Sequence, residues 1–316
     1  MMVDPQIVPP LEVLAVGELL IDFISTEYAD SLEDATNFKR LAGGSPANMA
    51  GNLARLGRAA GLVASVGKDD MGDYLLEFVK SLGLNTAGVH QVDLPSTLIL
   101  ITRSQGVSNF EPYRQADAQI TTQQLPAEVL QAVRIFHTTC FALSREPARS
   151  AILTAAQMVK TFGGVVSLDA NYAAKIWPDQ TEAQQVVARY CAAGALVKFS
   201  DVDWERLYGS PLTDPAQAAV FLHGLGAQVV CITLGEKGCF VSRGAEQHVV
   251  PARPIEVKDT TGAGDAFWAG FLCAFLDDHD LKTCALAGRK LAEMKLQHFG
   301  PLPVQINKSD LYLDVE

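Results

Sequence analysis

The chain has 316 residues, 48% of them hydrophobic and 19% charged, with a net charge of −11 and a pI near 5.0. That balance excludes a disordered chain, and one α/β domain spanning residues 1–316 is expected, with ample apolar material for a core. The acidic surplus excludes a nucleic-acid binder, which needs a basic face, but not a nucleotide binder, because a local pocket of amides can hold phosphate on an acidic protein.

In chain order, the opening MMVDPQIVPPLEVLAVG has no basic segment before its apolar run and no signal-peptide cleavage pattern, so a cytoplasmic protein is expected. LEVLAVGELLIDF (11–23) reads as one long β-type run, and SPANMAGNLARLG (45–57) as a helix. Ser45 is its natural N-cap, Pro46 takes the first helical position, and Gly57 ends it. A strand at 61–67 precedes DYLLEFVKSLG, which presents Leu75, Phe78, Val79 and Leu82 on one helical face. Strands follow at 134–140, 165–169, 196–200 and 229–235. Helices lie near 146–162, 180–193 and 215–226, and two more close the chain at 263–277 and 279–298.

Short apolar strands alternating with helices predict a doubly wound, mostly parallel sheet covered on both faces, with ligands beyond the carboxyl ends of its strands. Segments 22–42 and 92–120 break this rhythm with the strand-like pieces FISTEY, TLILITR and SNFEPYR and no helices between them. They predict an antiparallel flap that serves as a lid. No run of about 18 apolar residues suggests a membrane span. The six cysteines are scattered without a CxxC pair and no HExxH occurs, so buried free thiols and no structural metal site are expected.

KDTTGAGDAFWAG (258–270) joins a Gly-rich turn to an apolar helix. Without a Cβ, Gly262 and Gly264 let the backbone bend and approach a ligand, and the helix begins with unpaired amides at the positive end of its dipole. Such a nest stabilises an anion, above all the charge that develops in a transition state. Asp265 in the first turn either complements the dipole or takes a proton from a hydroxyl that attacks the bound anion. GAGDAF lacks the third glycine of GxGxxG, and no GK[ST] follows, so neither the dinucleotide fingerprint nor the Walker loop fits. Upstream, LAGGSPANMAGNLARLG (41–57) sets a second glycine pair, Gly43 and Gly44, before a helix whose polar Asn48 could donate to and accept from a hydroxylated ligand.

Together DTTGAGD (259–265) and GGSPANMAGNLARLG (43–57) resemble the two signatures of the ribokinase-like (PfkB) carbohydrate kinases, and the resemblance runs from GELLIDF (17–23) to the last helices. It implies the ribokinase-like fold, with Asp265 as catalytic base and the amides of Gly262, Ala263 and Gly264 as anion hole. Mg²⁺ would accompany ATP, and K⁺ would bind near the DTT segment at Asp259 and Thr261. On the sugar side it implies Asp22, Gly43, Gly44 and Asn48. The NFEPYRQADAQ piece is similar to a fructokinase lid, with Phe110 walling the pocket and Arg114 closing over the sugar or a phosphate. On the nucleotide side it implies Asn171 of DAN, and Thr233 and Gly235 of ITLGEKG.

Two positions depart from the family pattern. Ala173 stands where fructokinases carry Arg, with Lys175 as a weaker substitute. The NxxE segment, tied to Mg²⁺ and phosphate in the family, reads SDVD, with Ser200 and Asp203. The resemblance implies an ATP-dependent sugar kinase most like fructokinase, making fructose 6-phosphate, and the family offers dimerisation through the lid. The alternatives are 2-keto-3-deoxygluconate kinase, another PfkB sugar or nucleoside kinase, or a catalytically silent sugar-binding relative. Retention of Asp265 and both glycines argues against the last.

Overall fold

The computed structural model describes residues 11–103, 110–298, 300–303 and 306–313. The first ten residues, which entered the reading of the N-terminus, and residues 108–109 of the third flap piece lie outside them.

The chain runs through β1 (Val13–Val16), β2 (Leu20–Tyr28), β3 (Phe38–Gly43), α1 (Ser45–Arg55), β4 (Ala60–Gly67), α2 (Asp70–Ser81) and β5 (Asn85–Val92). It continues through β6 (Leu98–Arg103), β7 (Phe110–Tyr113), α3 (Ala127–Ala132), β8 (Ile135–Thr139), α4 (Ala148–Thr161) and β9 (Val165–Asp169). Next come α5 (Gln180–Cys191), β10 (Leu196–Ser200), α6 (Asp201–Tyr208), α7 (Pro215–Gly224) and β11 (Val229–Thr233). A hairpin of β12 (Cys239–Arg243) and β13 (Glu246–Val250) leads to α8 (Ala263–Leu276) and α9 (Leu281–Leu296).

Nine strands form the main sheet in the order β13-β12-β11-β10-β9-β8-β1-β4-β5, and every pairing is parallel except β11/β12 and β12/β13. Side chains alternate between two cores. Leu14, Val16, Val197 and Phe199 enter one with α4, α5 and α7, while Val13, Ala15 and Leu196 enter the other with α1, α2, α8 and α9. This doubly wound layering is what near-continuous apolar strands require. Strand order reverses at β1, which places the ligand crevice at the carboxyl ends of β1, β8 and their neighbours. Helix α8, buried on nearly all sides, is pinned to the sheet centre by Trp268 Nε1, which donates to Ser167 Oγ at 2.9 Å.

The lid is a separate four-stranded sheet, β3-β2-β6-β7. The expected antiparallel flap is present, with one parallel seam. Two antiparallel hairpins, β2/β3 and β6/β7, join edge to edge through a parallel β2/β6 pair, because β4 and β5 of the main sheet intervene in sequence. The single run at 11–23 is also two strands in two sheets. Both halves are apolar, so burial gives no sign of the break at Gly17, where an added Cβ would lie 2.7 Å from Pro46 Cγ. Helix α6 and the β12–β13 hairpin were not anticipated. In α6 only Asp203 and Leu207 are buried, too few for a periodic signal.

Candidate active site

A cavity of about 1230 Å³ opens at the carboxyl ends of the central strands, between the main sheet and the lid. Helices α1, α6 and α8 bring their N-termini to it, and α1 and α8 form the pair without side-chain caps. Both have glycine N-caps in left-handed backbone, Gly44 at φ 111° and Gly262 at φ 74°, and neither has a side-chain cap. By contrast Asp69, Asp179, Ser200, Asp214 and Asp280 cap α2, α5, α6, α7 and α9. In α8 the first intrahelical bond is Ala266 N–H to Gly262 O at 2.9 Å, and Ala263 N–H turns back to Thr260 O at 3.2 Å. Of the expected Gly262–Ala263–Gly264 trio, Ala263 N–H is thus already engaged. Gly264 and Asp265, ahead of that first bond, supply the first-turn amides besides Ala263.

Asp265 lies where the two helices meet. Its Oδ1 accepts from Ser45 Oγ at 2.6 Å and its Oδ2 from Asn48 Nδ2 at 2.9 Å. Burial raises the Asp265 carboxyl above the ordinary range, while those two hydrogen bonds and the charges of Lys198 and Lys295 pull the other way. Asn48 thus faces the site rather than solvent. Ser45 occupies the first helical position and not the N-cap, so its hydroxyl is available to Asp265.

On the lid side, half-buried Asp22 faces the cavity, its carboxyl pushed up to about 7 by burial and then by the charge of Asp265. Gly43 stands behind it rather than in the wall. A Cβ there would fall 2.1 Å from Asp22 Oδ2, and one on Gly44 2.2 Å from Glu18 O, so this pair must be glycine. Phe110 walls the cavity with Ile99 and Ile101. Glu18, buried beneath, accepts from Ser45 N–H at 3.3 Å and Thr139 Oγ at 2.8 Å, and burial pushes its carboxyl up to about 8.

Arg114 is a correction. Its side chain is 1% exposed, bound to Asp117 Oδ2 through Nε at 3.0 Å and to Ser144 Oγ at 2.6 Å, and stacked on Phe141. Asp117, three residues on, supplies the counter-charge that allows this burial. The guanidinium supports the cavity floor and does not close over a ligand.

Below the α8 turn, buried Lys198 donates to both oxygens of Asp169, at 2.9 and 2.7 Å. A Cβ on Gly264 would sit 3.2 Å from Lys198 Nζ, so the glycine lets the nest approach this ammonium. Burial pushes Asp169 up to about 6 against the pull of Lys198. Asn171 lines the same wall in left-handed backbone at φ 33°, with Thr233, Gly235 and Ser200 beyond it. Lys175 does not take the place of an arginine at 173. Its Nζ reaches the lid, donating to Phe110 O and Glu111 Oε2, both at 2.8 Å.

The metal expectations fit poorly. Asp203 completes the capping box that Ser200 opens on α6: Oδ2 accepts from Ser200 N–H and Oγ at 2.9 and 2.7 Å, and Oδ1 from Tyr172 N–H at 2.9 Å. Asp259 accepts from Lys295 Nζ and Gly300 N–H, both at 3.1 Å, and from Thr261 N–H at 3.0 Å. A second cation beside that ammonium would be repelled, so the carboxylate does not suit K⁺. Among the described residues no cluster of three or more His, Cys, Asp or Glu could hold a metal.

Glu18, Ser45, Asp169 and Lys198 escaped the sequence reading as functional groups. A lysine inside the buried strand LVKFS was the available signal, since such a charge demands a partner.

A family profile described as pfkB family carbohydrate kinase matches residues 11–306. An ATP-dependent 6-phosphofructokinase of Thermoanaerobacterium thermosaccharolyticum is 35% identical, over 92% of this chain and 89% of that protein. A probable fructokinase-4 of Arabidopsis thaliana is 34% identical, over 84% of this chain and 82% of its own length. The solved Halothermothrix orenii fructokinase superposes with a TM-score of 0.77 at 31% identity, covering 92% of this chain and 100% of that one. With two glycine-capped helices converging on one aspartate beneath a β lid, and with these likenesses along its length, the chain belongs to the pfkB family of carbohydrate kinases.

Proposed function

We propose that the protein is an ATP-dependent fructokinase that phosphorylates D-fructose on its 6-hydroxyl. The observation that carries this reading is the charge distribution along the cavity. Among the described lining residues, every lysine and arginine comes from the nucleotide half: Lys198, Arg206, Lys237, Arg253 and Arg289. Among the described residues, the wall built from β2, α1, the lid and Phe141 carries Glu18 and Asp22 and no lysine or arginine. A sugar phosphate or sugar acid would find no lysine or arginine there to pair with and would be repelled by Asp22 once that group is ionised, whereas a neutral sugar can donate a hydroxyl to it. The likeness to proteins named fructokinase supports fructose as that neutral sugar.

In this reading Asp22 and Asn48 hold the sugar. Asp265 receives the proton of the 6-hydroxyl as that oxygen bonds the γ-phosphorus, and the bond from phosphorus to the departing ADP breaks. The α8 amides stabilise charge on the migrating phosphoryl group. Lid strands Ile99–Ile101 and Phe110 exclude water that would otherwise compete as acceptor.

A coupled ADP-release assay across fructose, tagatose, ribose, adenosine, 2-keto-3-deoxygluconate and fructose 6-phosphate tests this. Fructose is expected to give the highest kcat/KM, by about tenfold or more over the charged acceptors. Preference for fructose 6-phosphate or 2-keto-3-deoxygluconate would overturn it.

A further inference from the structure

Ser45 opens α1, yet its hydroxyl does not cap that helix. It reaches across 220 residues of sequence to Asp265 Oδ1 at 2.6 Å, while Asn48, one turn along, holds Oδ2 at 2.9 Å. Each carboxylate oxygen is thus fixed by one donor and keeps lone-pair capacity for a substrate hydroxyl.

The two donors are not equivalent. The Asn48 amide nitrogen only donates, so it favours the ionised carboxylate alone. A serine hydroxyl also has lone pairs and can rotate to accept from a protonated carboxyl. Ser45 can therefore stay in contact after Asp265 takes a proton, but the charge-assisted bond it donates to the ionised carboxylate is the stronger of the two.

The charged groups around Asp265 leave room for such control. Asp22 faces it from β2, Asp169 from β9, Lys198 from β10 and Lys295 from α9, with Asp203 of α6 acting on Lys198. The Lys198 charge is largely spent on Asp169, and that of Lys295 on Asp259. Short hydrogen bonds from α1 then orient and bias the base more directly than these compensated charges do.

We propose that Ser45 is a positioning residue for phosphoryl transfer, whose hydroxyl aims the Asp265 carboxylate at the acceptor and favours its ionised form. This rests on the reading of Asp265 as the base. The sugar proton passes to Asp265, and Ser45 gains and loses none.

The test uses Ser45→Ala, which is nearly isosteric, and Ser45→Thr, which retains a hydroxyl. For each, kcat/KM for fructose is followed against pH by ADP release. In the alanine variant the acid limb is expected to move up by about one pH unit, a loss of roughly tenfold below the limb, with the plateau above it within about threefold of wild type. Threonine is expected to restore the limb. An unmoved limb in a folded Ser45→Ala protein overturns the proposal, as does an effect confined to sugar KM at every pH. Wild-type protein inactive on every sugar overturns both this proposal and the functional reading, whereas an active wild type with an unmoved limb overturns this one alone.

Discussion

Replacing Asp265 by asparagine separates the proton acceptor from the rest of the site. The amide matches the carboxylate in size and keeps an oxygen for Ser45 Oγ, but its NH₂ then faces the NH₂ of Asn48, which must turn away. Losing that one hydrogen bond costs about 1 kcal/mol, offset in part by removing a charge that burial disfavours. Thermal unfolding should therefore shift by about 3 °C or less for a chain of this size. Chemistry should suffer far more. A missing general base costs on the order of 10²–10⁴ in kcat, or about 2.7–5.4 kcal/mol of barrier. Because Asp22, Gly44 and the lid are untouched and only the Asn48 amide shifts, sugar KM should rise far less than kcat falls, by no more than about tenfold. Coupled ADP release at saturating fructose and ATP measures both. Turnover within about tenfold of wild type, in a folded variant, would remove Asp265 from the reaction.

Asp22→Ala should raise sugar KM by on the order of 10- to 100-fold with a smaller effect on kcat, and an unchanged KM would show that Asp22 is no ligand. Since its carboxyl is pushed up to about 7, sugar KM in the wild type should rise as pH falls below 7, which a Michaelis series across that range would detect. Glu18 is held protonated up to about 8 against an unfolded value of 4.5, so its contribution to stability is complete below 4.5 and is lost as pH rises through 8. Ligand-free protein should thus melt at higher temperature near pH 6 than near pH 9, and Glu18→Gln should flatten that slope; an unaltered slope refutes the assignment. Arg114→Met, which strands Asp117 in the core, should destabilise the fold by about 3–5 kcal/mol, and pairing it with Asp117→Asn should recover much of the loss. A stable Arg114→Met protein with raised sugar KM would instead restore the arginine to the lid.

Much of this architecture is written locally. Alternation of apolar strands with capped helices needs only neighbours in sequence, and strands such as Val165–Asp169 and helices such as Gln180–Cys191 stand where their periodicity places them. The glycines of GGSPAN and DTTGAGD likewise announce helix starts without side-chain caps, because only glycine takes that backbone cheaply and leaves amides exposed. Asp265 in such a turn was legible for the same reason.

Partners distant in sequence were not. Nothing in the order of residues shows that Ser45 and Asn48 meet Asp265, that Lys198 closes on Asp169, or that Asp117 draws Arg114 out of the lid into the core. Those pairings arise when α1 and α8 pack side by side and β9 lies against β10, and buried charges then settle on whichever counter-charge the packing delivers. The parallel seam of the lid has the same origin. Composition marks its strands, but the edge on which β6 joins β2 is fixed only once the intervening strands have taken their places in the main sheet.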